Sequence, residues 1–372
     1  MDREMIDVFI AGGGPGGCAA ALALRAHAPG LAVALAEASA YGGERVGETL
    51  PPAAAEVLGH LGVWDAFAAQ AHHPAYGTAA AWGSPVPHEN EFVFRVRQVG
   101  WHLDRGAFDG MLADQAALRG VRVLRQTRVL DAAREPGGWR LTLSTGAELR
   151  ARVLIDATGR GAALARRGAG ARQVVRDRLA GFVRFFRQPG GGGVPHTLVE
   201  AFADGWWYTA PLPDGRRVVA CMTDTDLARG LGLEEDDAWR ALLDEAAPRV
   251  RASLANAVQD GDAIVRAARS RCLEPAAGED WIAVGDAASS FDPLSSQGMM
   301  KALRSGIFAA YAAGDLLAKG DDAGMHRYRA FVKREFDAYL RTRARYYADE
   351  RRWPGREFWR RRHADTPEPA AA

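Results

Sequence analysis

The sequence predicts an α/β protein in which a helix-covered parallel sheet is interleaved with a mostly antiparallel sheet and followed by a C-terminal helical region. Three observations carry this expectation. A glycine-rich turn joins an apolar strand to an alanine-rich helix near the start of the chain, a second strand, glycine and helix passage lies far downstream, and runs of aromatic and β-branched residues with partial alternation lie between them. The first passage is Asp7-Val8-Phe9-Ile10-Ala11, then Gly12-Gly13-Gly14-Pro15-Gly16-Gly17, then a helix from Cys18 to Arg25. Gly12 suits the tight turn, Gly14 lets backbone approach a pyrophosphate, and Gly17 lets helix pack on strand. The helix N-terminus offers free N–H groups and a positive dipole end to the phosphates, and Pro15 of the turn is counted with the glycines as cofactor-binding. A second strand, Ala32-Val33-Ala34-Leu35-Ala36, ends in Glu37, placed about 20 residues past the last glycine to grip a ribose diol. This is the grammar of a Rossmann-like dinucleotide site, with an ordinary glycine-rich turn as the alternative.

The distal passage repeats that grammar. Trp281-Ile282-Ala283-Val284 reads as a short strand, Gly285-Asp286 closes it, and Asp292-Pro293-Leu294-Ser295-Ser296-Gln297-Gly298 leads into a helix from about Met299 to Leu317. With these two passages the chain resembles the FAD-dependent aromatic hydroxylase superfamily. The resemblance implies FAD as cofactor, Asp286 on the ribityl hydroxyls, the turn around Pro293 beside the isoalloxazine ring, and Gln297 and Gly298 at a helix start aimed at its pyrimidine side. A turn or N-cap aspartate is the alternative for Asp286. Trp101-His102-Leu103-Asp104-Arg105-Gly106-Ala107-Phe108-Asp109 resembles the segment that supplies an arginine to the cofactor, here Arg105, and Leu154-Ile155-Asp156-Ala157-Thr158-Gly159-Arg160 resembles the third family motif, with Asp156 closing a strand.

Because these motifs are scattered, the FAD-binding domain is expected to be discontinuous, over 1–75, 100–172 and 271–320. A substrate-binding sheet domain is expected over 76–99 and 173–270, from strands at Thr78 to Trp82, Phe92 to Val96, Leu179 to Phe186, Thr197 to Phe202, Trp206 to Ala210 and Arg217 to Thr223. Pro189 to Gly193 is expected as a hairpin connection. Residues 321–372 form the expected C-terminal helical region with a disordered tail from Thr366. Residues 341–363 hold nine arginines and the aromatics Tyr346, Tyr347, Trp353, Phe358 and Trp359. That mixture is found in single-stranded nucleic-acid sites, but the favoured expectation is aromatics packed on the FAD domain or a partner, with arginines covering apolar surface and pairing with acids.

Composition narrows the classes. Of 372 residues, 47 are Lys or Arg and 46 Asp or Glu, so no global field calls for nucleic acid or an anionic membrane. The charged start and the lack of a long apolar run predict a cytoplasmic protein without a membrane span. Cys18, Cys221 and Cys272 are too few and scattered for a disulfide framework or a metal site, and no metal is expected.

Chemistry follows from the most diagnostic string, Gly42-Gly43-Glu44-Arg45-Val46-Gly47-Glu48-Thr49-Leu50-Pro51-Pro52. With Gly205-Trp206-Trp207-Tyr208-Thr209-Ala210-Pro211 and the Asp292 to Gly298 turn, it resembles the tryptophan-halogenase-like branch. The closing pattern from Tyr346 to Trp359 is similar to the hydroxylating relatives that act on a tryptophan of a partner polypeptide during tryptophylquinone cofactor biogenesis. Halogenation in that branch uses a lysine in a Ser-Tyr-Lys string and a glutamate in a Pro-Leu-Glu-Ser turn. The corresponding positions here read Ala75-Tyr76-Gly77 and Pro293-Leu294-Ser295-Ser296, and no lysine precedes Lys301.

The resemblance therefore implies an FAD-dependent monooxygenase that uses O2 to hydroxylate an indole or other electron-rich aromatic. Its reductant is NAD(P)H acting directly or through a separate flavin reductase, since no second glycine fingerprint is found. A small-molecule aromatic hydroxylase, a double-bond reductase and a maturation factor that holds FAD structurally are the alternatives. Arg45 and Glu48 are assigned to cofactor or substrate-gate roles. His72, His73, His102 and Glu48 are the acid–base candidates, because imidazole titrates near neutrality, with His88 and His196 as further histidines near the inserted sheet. Trp82, Phe92, Phe94, Trp206, Trp207, Tyr208 and Phe291 are expected to line an apolar substrate cage, sheet core being the alternative for each.

Overall fold

The computed structural model describes residues 5–91, 99–187 and 196–364. Strand Met5–Ala11 lies inside a seven-stranded sheet, with Val33–Ala36 and then Arg122–Leu124 on one side and Glu148–Asp156 on the other, all parallel. Trp281–Ala283 adds a parallel strand beside Leu154 to Asp156, so the two glycine motifs leave the same edge of one sheet. Val129–Glu135 and Gly138–Leu143 extend the sheet in antiparallel sense. Val8, Phe9, Ile10, Leu154, Ile155 and Ile282 are all buried, as unbroken apolar strands covered on both faces must be.

Two helices pack together against this sheet, Pro15–His27 and Gly298–Lys319. Their small residues are a packing requirement, because a Cβ on Gly306 would lie 2.2 Å from the Gly16 carbonyl oxygen and 2.9 Å from the Ala20 nitrogen. The helices thus meet at backbone distance, which brings the two motifs together. Cys18 sits in that interior, where burial raises its thiol pKa and its Sγ lies 3.1 Å from the Gly13 carbonyl oxygen.

The second sheet has eight strands, running Val258–Gln259, Leu179–Arg187, Arg216–Asp224, Gly205–Pro211, Thr197–Phe202, Gly77–Ala81 and His88–Glu91, with Ile264–Ala267 also paired to Leu179–Arg187. Its pairs are antiparallel except Thr197–Phe202 with Gly77–Ala81. The expected strands at 78–82, 179–186, 197–202, 206–210 and 217–223 are found to within about a residue or two of these bounds. The expected strand at 92–96, the connection at 189–193 and the tail from Thr366 lie outside the described residues.

The stretch 173–270 is less purely β than expected, because helices Thr225–Leu231, Asp236–Ala246 and Pro248–Ala252 interrupt it. They exist because one sheet face needs cover. Phe182, Trp207, Val219 and Cys221 bury themselves there against Trp239, Leu243 and Val250. The other face presents Val183, Phe185, Trp206, Val218 and Ala220 to Tyr347, Phe358 and Trp359.

The C-terminal region is helical as expected, Ala323–Asp349 and Glu357–Ala364. Helix Ala323–Asp349 spans both cores: Met325, Tyr328, Val332, Phe336 and Tyr339 pack against the first sheet's core, whereas Tyr347 reaches the second. The terminal aromatics therefore pack on the inserted sheet rather than on the FAD side. Their arginines pair with its acids, Arg362 with Asp224 at 2.8 Å and Arg361 with Asp226 at 2.7 Å. Among the described residues no helix is long and apolar enough to cross a membrane.

Candidate functional site

Four separate stretches of chain converge on one groove. Gly12 has φ +113°, and a Cβ there would lie 2.2 Å from the Ala157 carbonyl oxygen, so the first motif sits directly on the third. A Cβ on Gly16 would lie 3.2 Å from the Gly285 nitrogen, which joins the first motif to the fourth. Arg160 of the third motif reaches Asp286 of the fourth at 3.2 Å. Gly14 behaves differently, since a Cβ there would meet nothing within 4 Å. It is the N-cap of helix Pro15–His27, with no side-chain cap and no acid in the first turn, so the N–H groups are left for an anion. The long helix Gly298–Lys319 starts the same way: Gln297 makes no capping hydrogen bond, the first turn holds no acid, and Gly298 also faces open space. Pro293, Gln297 and Gly298 are exposed along this wall. An open glycine before one uncapped helix and a second uncapped helix across the groove fit a dinucleotide with a flavin ring.

Beside the first glycine motif stand two carboxylates, Glu37 and Asp109. Glu37 accepts from the Gly13 N–H at 2.8 Å, the Ser39 N–H at 3.0 Å and the Ser39 hydroxyl at 2.6 Å. Buried Asp109, which the sequence reading did not single out, binds both motif arginines, Arg45 at 2.7 Å and Arg105 at 3.0 Å. Arg105 also donates to the carbonyls of Val46 at 2.7 Å and Gly47 at 3.1 Å, so it braces the loop that carries Glu48. A cavity of about 330 Å³ opens beside this network, bounded by Tyr41 to Arg45, Leu103 to Ala107 and the Leu212 to Arg216 turn.

Asp156 takes a structural place rather than a ligand-facing one. Its carboxylate accepts from Thr158 N–H (2.9 Å) and hydroxyl (2.6 Å), and from the N–H groups of Leu164 (3.0 Å) and Ala165 (2.8 Å). With its oxygens committed inward, it shapes the turn that follows the strand.

Asp286 is half-exposed to the groove and bonded to Lys301 at 2.7 Å. Burial alone would raise its pKa, but Lys301 and Arg160 outweigh it and bring the carboxyl from 3.8 to about 2. The Lys301 ammonium is buried, donates to the Ser289 carbonyl as well, and has its own pKa lowered by burial. Asp286→Ala would therefore cost more than a ligand contact. It would strand a buried ammonium, lowering the stability of the FAD-free protein by about 3 kcal/mol, whereas pairing it with Lys301→Met should restore most of the loss. Urea unfolding of the two variants checks this. Because the folded pKa is depressed, the Asp286 contribution is present above pH 3.8 and is lost as pH falls toward 2.

On the substrate side, Glu48 is 3% exposed and accepts from the Gly47 N–H at 2.8 Å and from the Tyr208 hydroxyl in a short contact. The Tyr208 oxygen is also 3.1 Å from Thr49 Oγ1, which lies 3.4 Å from both Thr197 Oγ1 and His102 Nδ1. Burial, reinforced by the Glu48 carboxylate, raises the Tyr208 pKa and keeps the phenol protonated. His73 is exposed and stacks on His102 with ring centroids 6.2 Å apart. His72 lies elsewhere, against Phe67 and Phe108 with Nε2 2.9 Å from the Gln70 side-chain oxygen, and burial lowers its pKa. Of the acid–base candidates the structure brings together Glu48, His102 and His73, and leaves out His72.

The aromatic cage is thinner than expected. Alternation puts Trp206 and Tyr208 on one face of strand Gly205–Pro211 and Trp207 on the other, where it packs 5.0 Å from Trp239 in the core and is removed from the pocket. Phe291 stacks at 4.0 Å on Tyr339. Trp82 is covered by Tyr347 and Trp359 and donates to the Tyr346 carbonyl at 2.6 Å. Phe92 and Phe94 lie outside the described residues.

Comparison with known proteins identifies the family and the fold. The tryptophan halogenase family profile matches residues 7–82 and 77–372. The putative FAD-dependent oxidoreductase LodB of Marinomonas mediterranea is 31% identical, over 97% of this chain and 98% of its own length. Among solved structures, the myxobacterial chondrochloren halogenase CndH superposes with TM-score 0.87 at 25% identity, over 96% of this chain and 86% of that one. QhpG, a peptidyl tryptophan dihydroxylase essential for tryptophylquinone cofactor biogenesis, does so with TM-score 0.77 at 27% identity, over 96% and 79%. The chain belongs to the tryptophan halogenase family and is an FAD-dependent enzyme.

Proposed function

We propose that this chain is an FAD-dependent monooxygenase that hydroxylates an indole, that of a tryptophan within a partner polypeptide, and does not halogenate. The observation that carries the choice is the placement of its three lysines. Halogenation in this family, as read from the motifs, needs an ammonium on the substrate side, and Ala75-Tyr76-Gly77 provides none there. Lys301 is committed to Asp286 inside the cofactor wall, while Lys319 and Lys333 are exposed and paired with Asp315 and Asp337 on their own helices. Ser295 and Ser296 stand where the glutamate would be.

FAD, once reduced and exposed to O2, supplies an electrophilic oxygen. Gly14, Glu37, Arg45, Arg105, Asp286, Pro293, Gln297 and Gly298 hold or border the cofactor. The sheet containing Tyr208 and Trp206 forms the substrate side, and the half-buried Tyr208 hydroxyl, donated to buried Glu48, holds a proton at the junction between flavin-side loop and substrate strand. Reducing equivalents come from NAD(P)H directly or from a separate flavin reductase. The polypeptide substrate is supported by the likeness to QhpG and by exposed Arg341, Arg345 and Arg351 on the C-terminal flank, which suit an acidic partner, whereas Arg352, Arg356, Arg360, Arg361 and Arg362 pair with acids of this chain.

A halide competition separates the two chemistries. Reduced FAD, air, excess bromide and a tryptophan-bearing partner are mixed with the protein, and the partner's mass is measured. Gain of oxygen with no bromine is expected, and bromination would reject the reading.

A further inference from the structure

We propose that Tyr347 is a positioning residue of the flavin site, whose hydroxyl ties the substrate strand to the turn that carries the flavin wall. The tie is a buried chain of hydrogen bonds. The Trp206 indole N–H, on strand Gly205–Pro211, donates to the Tyr347 hydroxyl at 3.1 Å, and that hydroxyl donates to Asp292 Oδ2 at 2.7 Å. Asp292 opens the Pro293 to Gly298 turn and shapes it by accepting from the Leu294 N–H at 3.0 Å.

The same helix holds Asp292 at two further points. Tyr339 accepts from the Asp292 N–H at 2.7 Å and stacks on Phe291, and Arg343 donates to Asp292 Oδ2 at 3.4 Å while pairing with Asp177 at 3.2 Å. Tyr339, Arg343 and Tyr347 are four residues apart, so one stripe of helix Ala323–Asp349 grips the base of the turn. The side chains of Trp206, Asp292, Tyr339, Arg343 and Tyr347 are buried, whereas Pro293, Ser296, Gln297 and Gly298 are exposed.

The turn is thus open on its cofactor side and clamped behind, by a helix that also rests on the substrate sheet. Two residues along the same strand face, Tyr208 meets Glu48 of the flavin-side loop. The substrate strand is therefore tied to the flavin wall through Tyr347 and to the flavin-side loop through Glu48. What the clamp positions is the uncapped start of helix Gly298–Lys319, whose dipole favours the anionic reduced flavin. A small displacement of that start weakens reduced FAD more than oxidised FAD.

The inference rests on reading this turn as the flavin wall, and the test separates the two. Apoprotein is titrated anaerobically with oxidised and with reduced FAD, followed by flavin fluorescence and absorbance. Tyr347→Phe keeps the ring among Trp82, Phe358 and Trp359 and removes only the hydroxyl. It is expected to hold oxidised FAD within about threefold of wild type and to weaken reduced FAD about fivefold more than that. Loss of packing alone would weaken both forms equally. Trp206→Phe, which cuts the chain from the other end, should shift the ratio in the same direction, and decides alone if Tyr347→Phe does not fold. An unchanged ratio in both variants overturns the clamp. Gly298→Val, which projects into the groove, should weaken both forms; wild-type binding by that variant would reject the flavin-wall reading itself, and the clamp with it.

Discussion

Gly14→Val is expected to abolish FAD binding while leaving the apoprotein folded. The backbone at Gly14 has φ −73° and ψ −177°, an extended conformation valine adopts readily, and a Cβ there would meet nothing within 4 Å. The added branch would instead project into the groove, where the pyrophosphate must approach the N–H groups of helix Pro15–His27. Affinity should fall by at least about a hundredfold, or roughly 3 kcal/mol, in a fluorescence titration, with an unchanged melting curve for the FAD-free protein. Gly12→Val is a contrasting control: at φ +113° and with its Cβ 2.2 Å from the Ala157 oxygen, it should damage the fold itself. Normal flavin binding by folded Gly14→Val protein would remove the groove assignment.

Tyr208→Phe and Glu48→Gln are expected to lower the rate of oxygen insertion by about a hundredfold, with FAD affinity retained. Neither side chain is among those that converge on Asp286 or Gly14, yet buried Glu48 and half-buried Tyr208 meet where the loop braced by Arg105 reaches the substrate strand. Removing the phenol leaves Glu48 with the Gly47 N–H and strips Thr49 of its nearest hydroxyl partner. Single-turnover mixing of reduced enzyme with oxygen, with product and hydrogen peroxide measured together, reads the effect. The expected result is slower product formation with more peroxide per flavin oxidised. Wild-type product yield from both variants would exclude this pair from proton handling.

The sequence showed much of the fold because backbone requirements are local. The glycines at 12, 14 and 17 announce a turn, an open cradle and a close approach, and each does what its spacing implies. Strands in the inserted sheet were legible from aromatic and β-branched content. The helices at 225–252 were not, because a sheet's need for cover on one face is a tertiary demand that its own strands do not announce. The same limit explains Trp207. Alternation says that Trp206 and Trp207 face opposite ways, but only the placement of Trp239 and Tyr347 shows that each face has its own core, Trp207 under the helices at 225–252 and Trp206 under the C-terminal helices.

Charged partners were harder still to read. Asp156 ends its strand and Asp286 lies three residues past the end of another, beside Gly285, yet the first is spent on backbone N–H groups and the second faces Lys301 and Arg160. Lys301 entered the sequence argument as the earliest lysine, and its distance from Asp286 in the chain hides a one-turn packing contact between strand end and helix. The clamp on Asp292 was equally hidden, since Tyr339, Arg343 and Tyr347 read as one stripe of an arginine-rich helix until their common target is known.

The proposed reaction is oxygen insertion into a tryptophan of a polypeptide. The most direct test supplies the protein with reduced FAD and isotopically heavy oxygen gas, in the presence of a tryptophan-bearing partner protein together with free tryptophan, and follows both by mass spectrometry. The predicted result is one or two heavy oxygen atoms on a single tryptophan of the partner, little change in free tryptophan, and turnover that weakens as salt screens docking to an acidic partner. Efficient oxygenation of the free amino acid with no mass change on the polypeptide would contradict it.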